Sequence, residues 1–282
     1  MTGRVPPRPP GPGPEVTVRE DLATGVDALY AVTAQGGADP ARLARQVAAD
    51  YLDGAGMVVV EAPLRLRPGA GAEPGGGAGR GADDGCDLLR VYRDLVGHPP
   101  VRRPVGRCRL AGADPALAAG LVAELAASLA LGARFSGLAD LLPDETGLRD
   151  RVRALLPGPV RWAALRREGA PAYVLWQRTT DPILRTDVVD LVDICGAAGG
   201  VSELLLGHVA ATERARWVRA GVAVSPAEPS GWQVLRELGA HGWTVGAGRW
   251  RFAVAGEEVL PWRAAPLPWR RAALAAADRA AG

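Results

Sequence analysis

The sequence predicts an α+β or mixed α/β fold, and three observations carry that expectation. Apolar ladders of helical period, above all Leu117, Leu121, Leu125 and Leu129, alternate along the chain with short apolar runs of strand length such as Met57–Val60. The 282 residues are 48% hydrophobic and 23% charged, values of a globular chain able to bury one large core or two modest ones. All eight tryptophans fall between Trp162 and Trp269, so the character of the chain changes near residue 160. Residues 1–14 are therefore expected as a disordered Pro-rich tail. Residues 15–158 are expected as an α/β section interrupted by a flexible Gly-rich loop at 68–85. Residues 159–282 form a Trp-rich α+β section, and the two sections can share one core.

The elements follow in order. Ala28–Val32 is expected as a strand, Asp39-Pro40 as the N-cap and first turn of a helix carrying Leu43, Val47 and Tyr51, and Met57–Val60 as a buried strand. Together they make a β-α-β-like unit. After the loop, the spacing predicts a helix over Cys86–Val96 and a strand over Val105–Leu110. Asp114-Pro115 repeats the N-cap signal and opens the Ala/Leu helix, and Leu148, Val152 and Leu155 mark another. Val160–Leu165 and Tyr173–Arg178 read as a hairpin. GAAGG at 196–200 leads into a helix expected over Val201–Arg219. Ser230 with Gln233 fits a capping box for a helix through Leu238, with Gly239 as its end. His241–Trp262 alternates like a small β-meander, and the Ala/Arg-rich end from Pro266 reads as a weak peripheral helix. The sequence contains no internal repeat.

Composition excludes several chemistries. The 33 basic residues are all arginine, and neither Lys nor Asn occurs. A Walker A loop, a Schiff-base lysine and a serine–lysine dyad are thereby ruled out, as are an N-glycosylation sequon and a nucleophile–His–Asn triad. The bias toward GC-rich codons points to a high-GC bacterial genome. A formal charge of +2 calls for neither nucleic acid nor an anionic membrane. Its distribution is uneven, with 16 Arg against 19 acidic residues (net −3) over residues 1–150 and 17 against 12 (net +5) over the rest. Cys86, Cys108 and Cys195 are too few and too far apart for a disulfide framework, so a reducing cytoplasm is expected. The N-terminus has no apolar h-region of a signal peptide. Pro115–Gly132 contains Glu124 and reads as a buried helix rather than a membrane span.

The segment most suggestive of chemistry is VVDLVDICGAAGGVSELLL, Val188–Leu206. Taken as strand, glycine-rich turn and helix, it lets backbone N–H groups at a helix N-terminus approach an anionic or nucleotide-like ligand, with Gly196, Gly199 and Gly200 as the binding residues. In this form it resembles the first motif of Rossmann-type methyltransferases. That resemblance implies an acidic residue at the end of the next strand, but Gly221–Val224 runs into Ser225-Pro226 and Glu228 comes late. Cys195 followed by small residues, a helix and the strand-like GVAVS is also similar to the nucleophile elbow of thiolase-fold condensing enzymes. Those enzymes need His or Asn far downstream, whereas only His208 and His241 follow here. A reading without any ligand stands beside these: Asp181-Pro182 caps a helix running through Cys195, with Asp187, Asp190 and Asp193 on a solvated edge and GAAGG as its break. Periodicity alone leaves strand and helix both open.

Cys195 as nucleophile with His208 or His241 as base, and Asp193 beside them, are the candidate catalytic residues. An Asp-rich magnesium site would need a facing acidic cluster, and a zinc site would need tertiary assembly, since the chain has no CxxC, HxxxH or HExxH; no metal is expected. Six tryptophans have an arginine within two residues, as in Arg249-Trp250-Arg251, which suits either an anionic aromatic ligand or ordinary strand alternation. The leading expectation is a small-molecule enzyme of specialised metabolism, transferase-like. Its ligand near GAAGG would be of nucleotide or coenzyme type: S-adenosylmethionine, a coenzyme A ester or a nucleotide. The alternative is a non-catalytic accessory protein that docks a protein partner through its Pro-rich tail or Arg-rich C-terminus.

Overall fold

Most strands carry apolar side chains on both sides, and such strands need a sheet covered on both faces. The computed structural model, which describes residues 13–21, 24–64, 86–100, 109–111, 115–156, 158, 160–166, 171–195, 200–225 and 230–273, is a mixed α/β fold of that kind. In chain order its elements are β1 (Glu15–Glu20), β2 (Asp27–Val32), α1 (Pro40–Tyr51), β3 (Gly56–Pro63), β4 (Cys86–Asp94), β5 (Arg109–Ala111), α2 (Pro115–Phe135), a 3-10 turn (Ala139–Leu141) and α3 (Glu145–Leu155). They continue with β6 (Arg161–Arg166), β7 (Ala172–Asp181), β8 (Thr186–Cys195), α4 (Gly200–Glu213), β9 (Trp217–Ala223), α5 (Ser230–Ala240), β10 (Thr244–Ala255) and β11 (Glu258–Pro261). Residues 267–273 are helical.

One sheet runs β1-β2-β3-β10-β4-β9-β8-β7-β6-β5, with β11 paired to β10. Two neighbouring pairs are parallel, β2 with β3 and β8 with β9, each joined by a crossover helix, α1 and α4. Outward from the β10–β4 boundary the two sides follow one pattern. First comes an antiparallel pair (β10–β3, β4–β9), then the parallel pair, then another antiparallel pair (β2–β1, β8–β7). The topology therefore repeats although the sequence does not. β10, from the end of the chain, lies between β3 and β4, so one sheet is continuous through both sections.

Four clusters form the core. On one face, α1 buries Leu43, Ala44 and Val47 against Leu29, Val58, Val60, Trp250 and Phe252, while α4 buries Val201, Leu205, Leu206 and Val209 against Val174, Trp176, Val189 and Val218. On the other face, α2 and α3 bury Leu117, Leu121, Leu125, Leu148 and Val152 against Tyr173, Leu175 and Cys195. The far end of α2 joins Tyr30, Met57, Val59 and Trp262, with Leu129 touching both clusters. By length and composition α2 could cross a membrane, but its Leu117, Leu121 and Leu125 side chains are buried against the sheet. Gly120 lies directly over the Tyr173 hydroxyl, which a Cβ at that position would overlap.

Several expectations need correction. Cys86–Val96 is not a helix but strand β4, central in the sheet with Cys86, Leu89, Val91 and Tyr92 buried. A strand apolar on both faces has no alternation, and its spacing can mimic a helical stripe. The helix expected to reach Arg219 ends at Glu213, beyond which Arg214 takes φ +50° and Trp217–Arg219 open β9. Asp181-Pro182 does not cap a helix. The Asp181 carboxylate accepts from the N–H groups of Ile183 (2.8 Å) and Leu184 (2.7 Å), Arg185 takes φ +53°, and the chain turns back into β8. α5 continues past Gly239 to Ala240, and Gly242 supplies the left-handed turn. The expected meander is the hairpin β10–β11, whose first strand is central rather than peripheral. Residues 1–12, the loop at 68–85, Val105–Cys108, Asp114 and residues 196–199 lie outside the described residues.

Candidate functional site

The Val188–Cys195 segment is a strand, followed at Gly200 by α4. Its pairing with β9 is short. Only Val189, Leu191 and the intervening Asp190 find partners, in Val218, Ala220 and Arg219. β8 then continues through Val192–Cys195 held by β7 alone, and β9 continues through Gly221–Ala223 held by β4 alone. β8 also carries a bulge. Pairing jumps from Trp176↔Leu191 to Leu175↔Asp193, so Val192 has no partner on β7. This gap in the ladder, the slot, lies at the end of β8 from which the chain continues to α4 at Gly200. Within it the Ile194 N–H is met by the Asp193 carboxylate at 2.7 Å.

Below the slot, the strands are tied by buried charges that sequence reasoning missed. Arg219 on β9 donates to both oxygens of Asp190 on β8, from Nε at 2.9 Å and from Nη2 at 2.8 Å. Its Nη1 donates to Asp181 at 2.8 Å, and the Tyr92 hydroxyl donates to the same oxygen at 3.2 Å. Arg90 on β4 donates to Glu61 on β3 at 3.1 Å and stands 3.9 Å from Asp190. Burial disfavours ionised Asp190, but the Arg219 hydrogen bonds and the charges of Arg90 and Arg219 outweigh it and hold the carboxyl below its ordinary value. Burial, then the Asp181 and Glu61 charges, push the Tyr92 phenol up. A second buried set joins Arg251 on β10 to Asp21 (2.8 Å) and Asp87. At Asp21 burial is likewise outweighed, by Arg251, Arg249 and the Thr24 hydrogen bonds, so its carboxyl is also lowered. The only sequence signal was Asp and Arg in otherwise apolar strands. The i+3 spacing of Asp187, Asp190 and Asp193 had instead suggested a solvated helix edge.

Beside the slot, Arg93 fixes the start of α4 from β4. It donates to both Glu203 oxygens (2.6 and 3.1 Å) and to the His98 and Pro99 carbonyls (2.9 and 3.1 Å). The pair cancels the negative charge that Glu203 would place in the first turn of the helix.

The candidate catalytic residues are divided by the sheet. Cys195 ends β8 on the α2/α3 face, buried against Tyr173 and Leu175. Asp193 shares that face. Burial first, then the Asp193 charge and hydrogen bond, push the Cys195 thiol well above its ordinary value, so it stays protonated at neutral pH. His208 lies on α4, across the sheet, with its ring edge-on to Trp176 at 6.0 Å between centroids. The structure thus brings Cys195 and Asp193 together and leaves His208 apart. Gly200 is the first residue of α4, and Gly196 and Gly199 lie outside the described residues. Among the described residues no group of three or more His, Cys, Asp or Glu side chains is placed to hold a metal. Of the Arg–Trp neighbours, Arg216 lies over the Trp217 ring at 5.5 Å, while Trp250 points into the core and Arg249 and Arg251 to the opposite face.

No protein-family model matches the chain, and no curated protein sequence matches it. Among solved structures it is similar to a functionally unknown conserved protein from Staphylococcus epidermidis, with 7% identity, a TM-score of 0.49, and coverage of 88% of this chain and 92% of that one. It is also similar to a probable N-acyltransferase from Enterococcus faecalis (12% identity, TM-score 0.39, 86% and 58% covered). A third is a GCN5-related N-acetyltransferase from Sphaerobacter thermophilus (12%, 0.40, 85% and 76%). These likenesses assign neither a family nor an activity to this chain.

Proposed function

We propose that the chain binds an acyl-coenzyme A thioester in the slot between β8 and β9 and transfers its acyl group to a small-molecule nucleophile. The observation that supports this reading is the parting of the two parallel strands on the side where the chain continues to the N-terminus of α4. The stretch Val192–Cys195, unpaired with β9, offers a strand edge on which the Ile194 N–H is met by Asp193. An extended ligand bearing amides can pair with such an edge as an added strand does. The pantetheine arm of coenzyme A has that chemistry, and its diphosphate suits the positive end of α4, which opens at Gly200. S-adenosylmethionine has neither the amide-bearing arm nor the diphosphate.

In this reading Asp193 accepts the proton of the attacking nucleophile, whose lone pair forms the new bond to the thioester carbonyl carbon. The carbon–sulfur bond then breaks and the coenzyme leaves as its thiol, taking up the released proton. Cys195 serves packing, with its protonated thiol beside Asp193.

Thermal unfolding of the full chain with coenzyme A, acetyl-coenzyme A, S-adenosylmethionine or ATP tests the proposal. Coenzyme A at a hundredfold excess over its Kd should stabilise the chain by about 2.7 kcal/mol. Stabilisation by S-adenosylmethionine alone, or by none of the four, overturns the reading, and the second result favours a non-catalytic accessory protein.

A further inference from the structure

A cavity of about 250 Å³ opens on the α2/α3 side of the sheet, between those helices and strands β7 and β8, and reaches the β8 bulge at Val192. Leu125, Leu155, Val160, Leu175 and Val192 form most of its wall, and of the described residues lining it Gln177 alone has a polar side chain. Among the described residues that line it none is charged. The Gln177 amide is hydrogen-bonded to Asp190, which Arg219 holds in turn, so the polar end of the cavity is fixed from the strand network. The occupant must accordingly be uncharged and largely apolar. A protein cavity of about 150 Å³ lined by apolar side chains stays dry and takes a benzene-sized guest, so this one suits a larger apolar group.

Val192 connects the cavity to the slot. It is the first residue of β8 beyond the ladder with β9, it is bulged out of register with β7, and its side chain lines the cavity. A coenzyme laid along β8 from Cys195 reaches Val192 after three residues, about 10 Å at the rise of a strand. The ladder closes there, so a group attached to the reacting end has to leave the plane of the sheet. On the α2/α3 side the cavity receives it.

We propose that this cavity is the acyl pocket, and that the acyl group is apolar and longer than acetyl, an aliphatic chain of about six to eight carbons or an aryl ring. The inference rests on the coenzyme reading of the slot and adds to it the class of acyl group. Gln177 is a positioning residue at the polar end of the pocket.

Calorimetric titration of the full chain with coenzyme A and with acetyl-, hexanoyl- and octanoyl-coenzyme A tests it. Each buried methylene should tighten binding about threefold to fourfold until the cavity is filled, so hexanoyl should bind more than about tenfold tighter than acetyl. Ala154 lines the cavity from the exposed side of α3. Ala154→Trp should bring the hexanoyl ester down to the acetyl level. If coenzyme A and all three esters bind within twofold of one another, the acyl pocket is overturned while the slot stands. If none of them binds, the coenzyme reading falls and the pocket with it. The series on the unaltered chain decides these outcomes even if Ala154→Trp fails to fold.

Discussion

The two parallel crossover units, β2–α1–β3 and β8–α4–β9, lie in equivalent places on the two sides of the sheet and send their helices to the same face, yet they close differently. In the first, pairing runs from Leu29↔Val58 to Val32↔Glu61, and the Thr33 N–H extends it to the Glu61 carbonyl at 3.0 Å. Its helix start is already occupied by an internal anion. The Asp39 carboxylate accepts from the N–H groups of Ala41 (2.9 Å) and Arg42 (3.3 Å). In the second unit the ladder stops after three pairs, and the Gly-Ala-Ala-Gly sequence that precedes α4 has no polar side chain. A closed ladder and a carboxylate cap leave an outside ligand nothing to bind. One topology therefore gives a scaffold in one place and a candidate site in the other. Strand closure and the residue at the helix start make the difference.

That contrast can be broken at its base. Arg219 ties β8 to β9 below the parting, where the first unit uses apolar side chains. Arg219→Met leaves Asp190 and Asp181 buried without their cation and should cost about 3–5 kcal/mol in urea unfolding. A loss below about 1 kcal/mol would show that the second unit does not depend on this tie.

Giving the open unit the charge of the closed one is the next largest change. Gly200→Asp places a carboxylate at the start of α4, as the N-cap Asp39 does for α1. Repulsion of a diphosphate there should weaken coenzyme A binding about thirtyfold, on the order of 2 kcal/mol, with little change in unfolding free energy. Unaltered affinity would remove the helix start from the site.

Acid should act on both halves alike. Asp190 and Asp21 have folded values below the ordinary 3.8, so the stability they contribute is fully present above that pH and is lost as pH falls through their folded values. Each carboxyl should add a slope of up to about 1.4 kcal/mol per pH unit in that window. Denaturation of Asp190→Asn at pH 2–4 should show a shallower acid limb than the unaltered chain, and an identical limb would contradict the assignment. The smallest effect belongs to the closed unit. Asp39→Ala removes the cap of α1 and should cost about 1 kcal/mol without affecting coenzyme binding, whereas any weakening of binding would mean that the two units communicate.

How much of this was legible depended on where the signal was local. Asp39-Pro40 with Leu43 and Val47 announced α1, and the turn between Val160–Leu165 and Tyr173–Arg178 announced the β6–β7 hairpin, because caps and short hairpins are fixed by neighbours in sequence. β4 was misread because a strand buried on both faces loses its period of two. Asp190 was misread because its cation, Arg219, arrives from a strand 29 residues away. Cys195 and Asp193 share the suggestive segment and His208 follows it by two residues, but the sheet passes between the thiol and the imidazole. The Val192 bulge left no mark in the sequence, since register belongs to a pair of strands and not to either alone.

By itself the sequence determined the alternation of helices and strands, the caps, and the exclusions that follow from a chain without Lys or Asn. These depend on residue identity and on contacts a few positions apart. Only the tertiary structure decided that β10 joins the two sections into one sheet, that Arg219 finds Asp190 and Asp181, and that one crossover unit closes while its counterpart stays open. Each of those outcomes is a choice among partners distant in sequence. It is settled by which pairing buries apolar surface on both faces while giving every buried charge its counterion, a balance no local window contains.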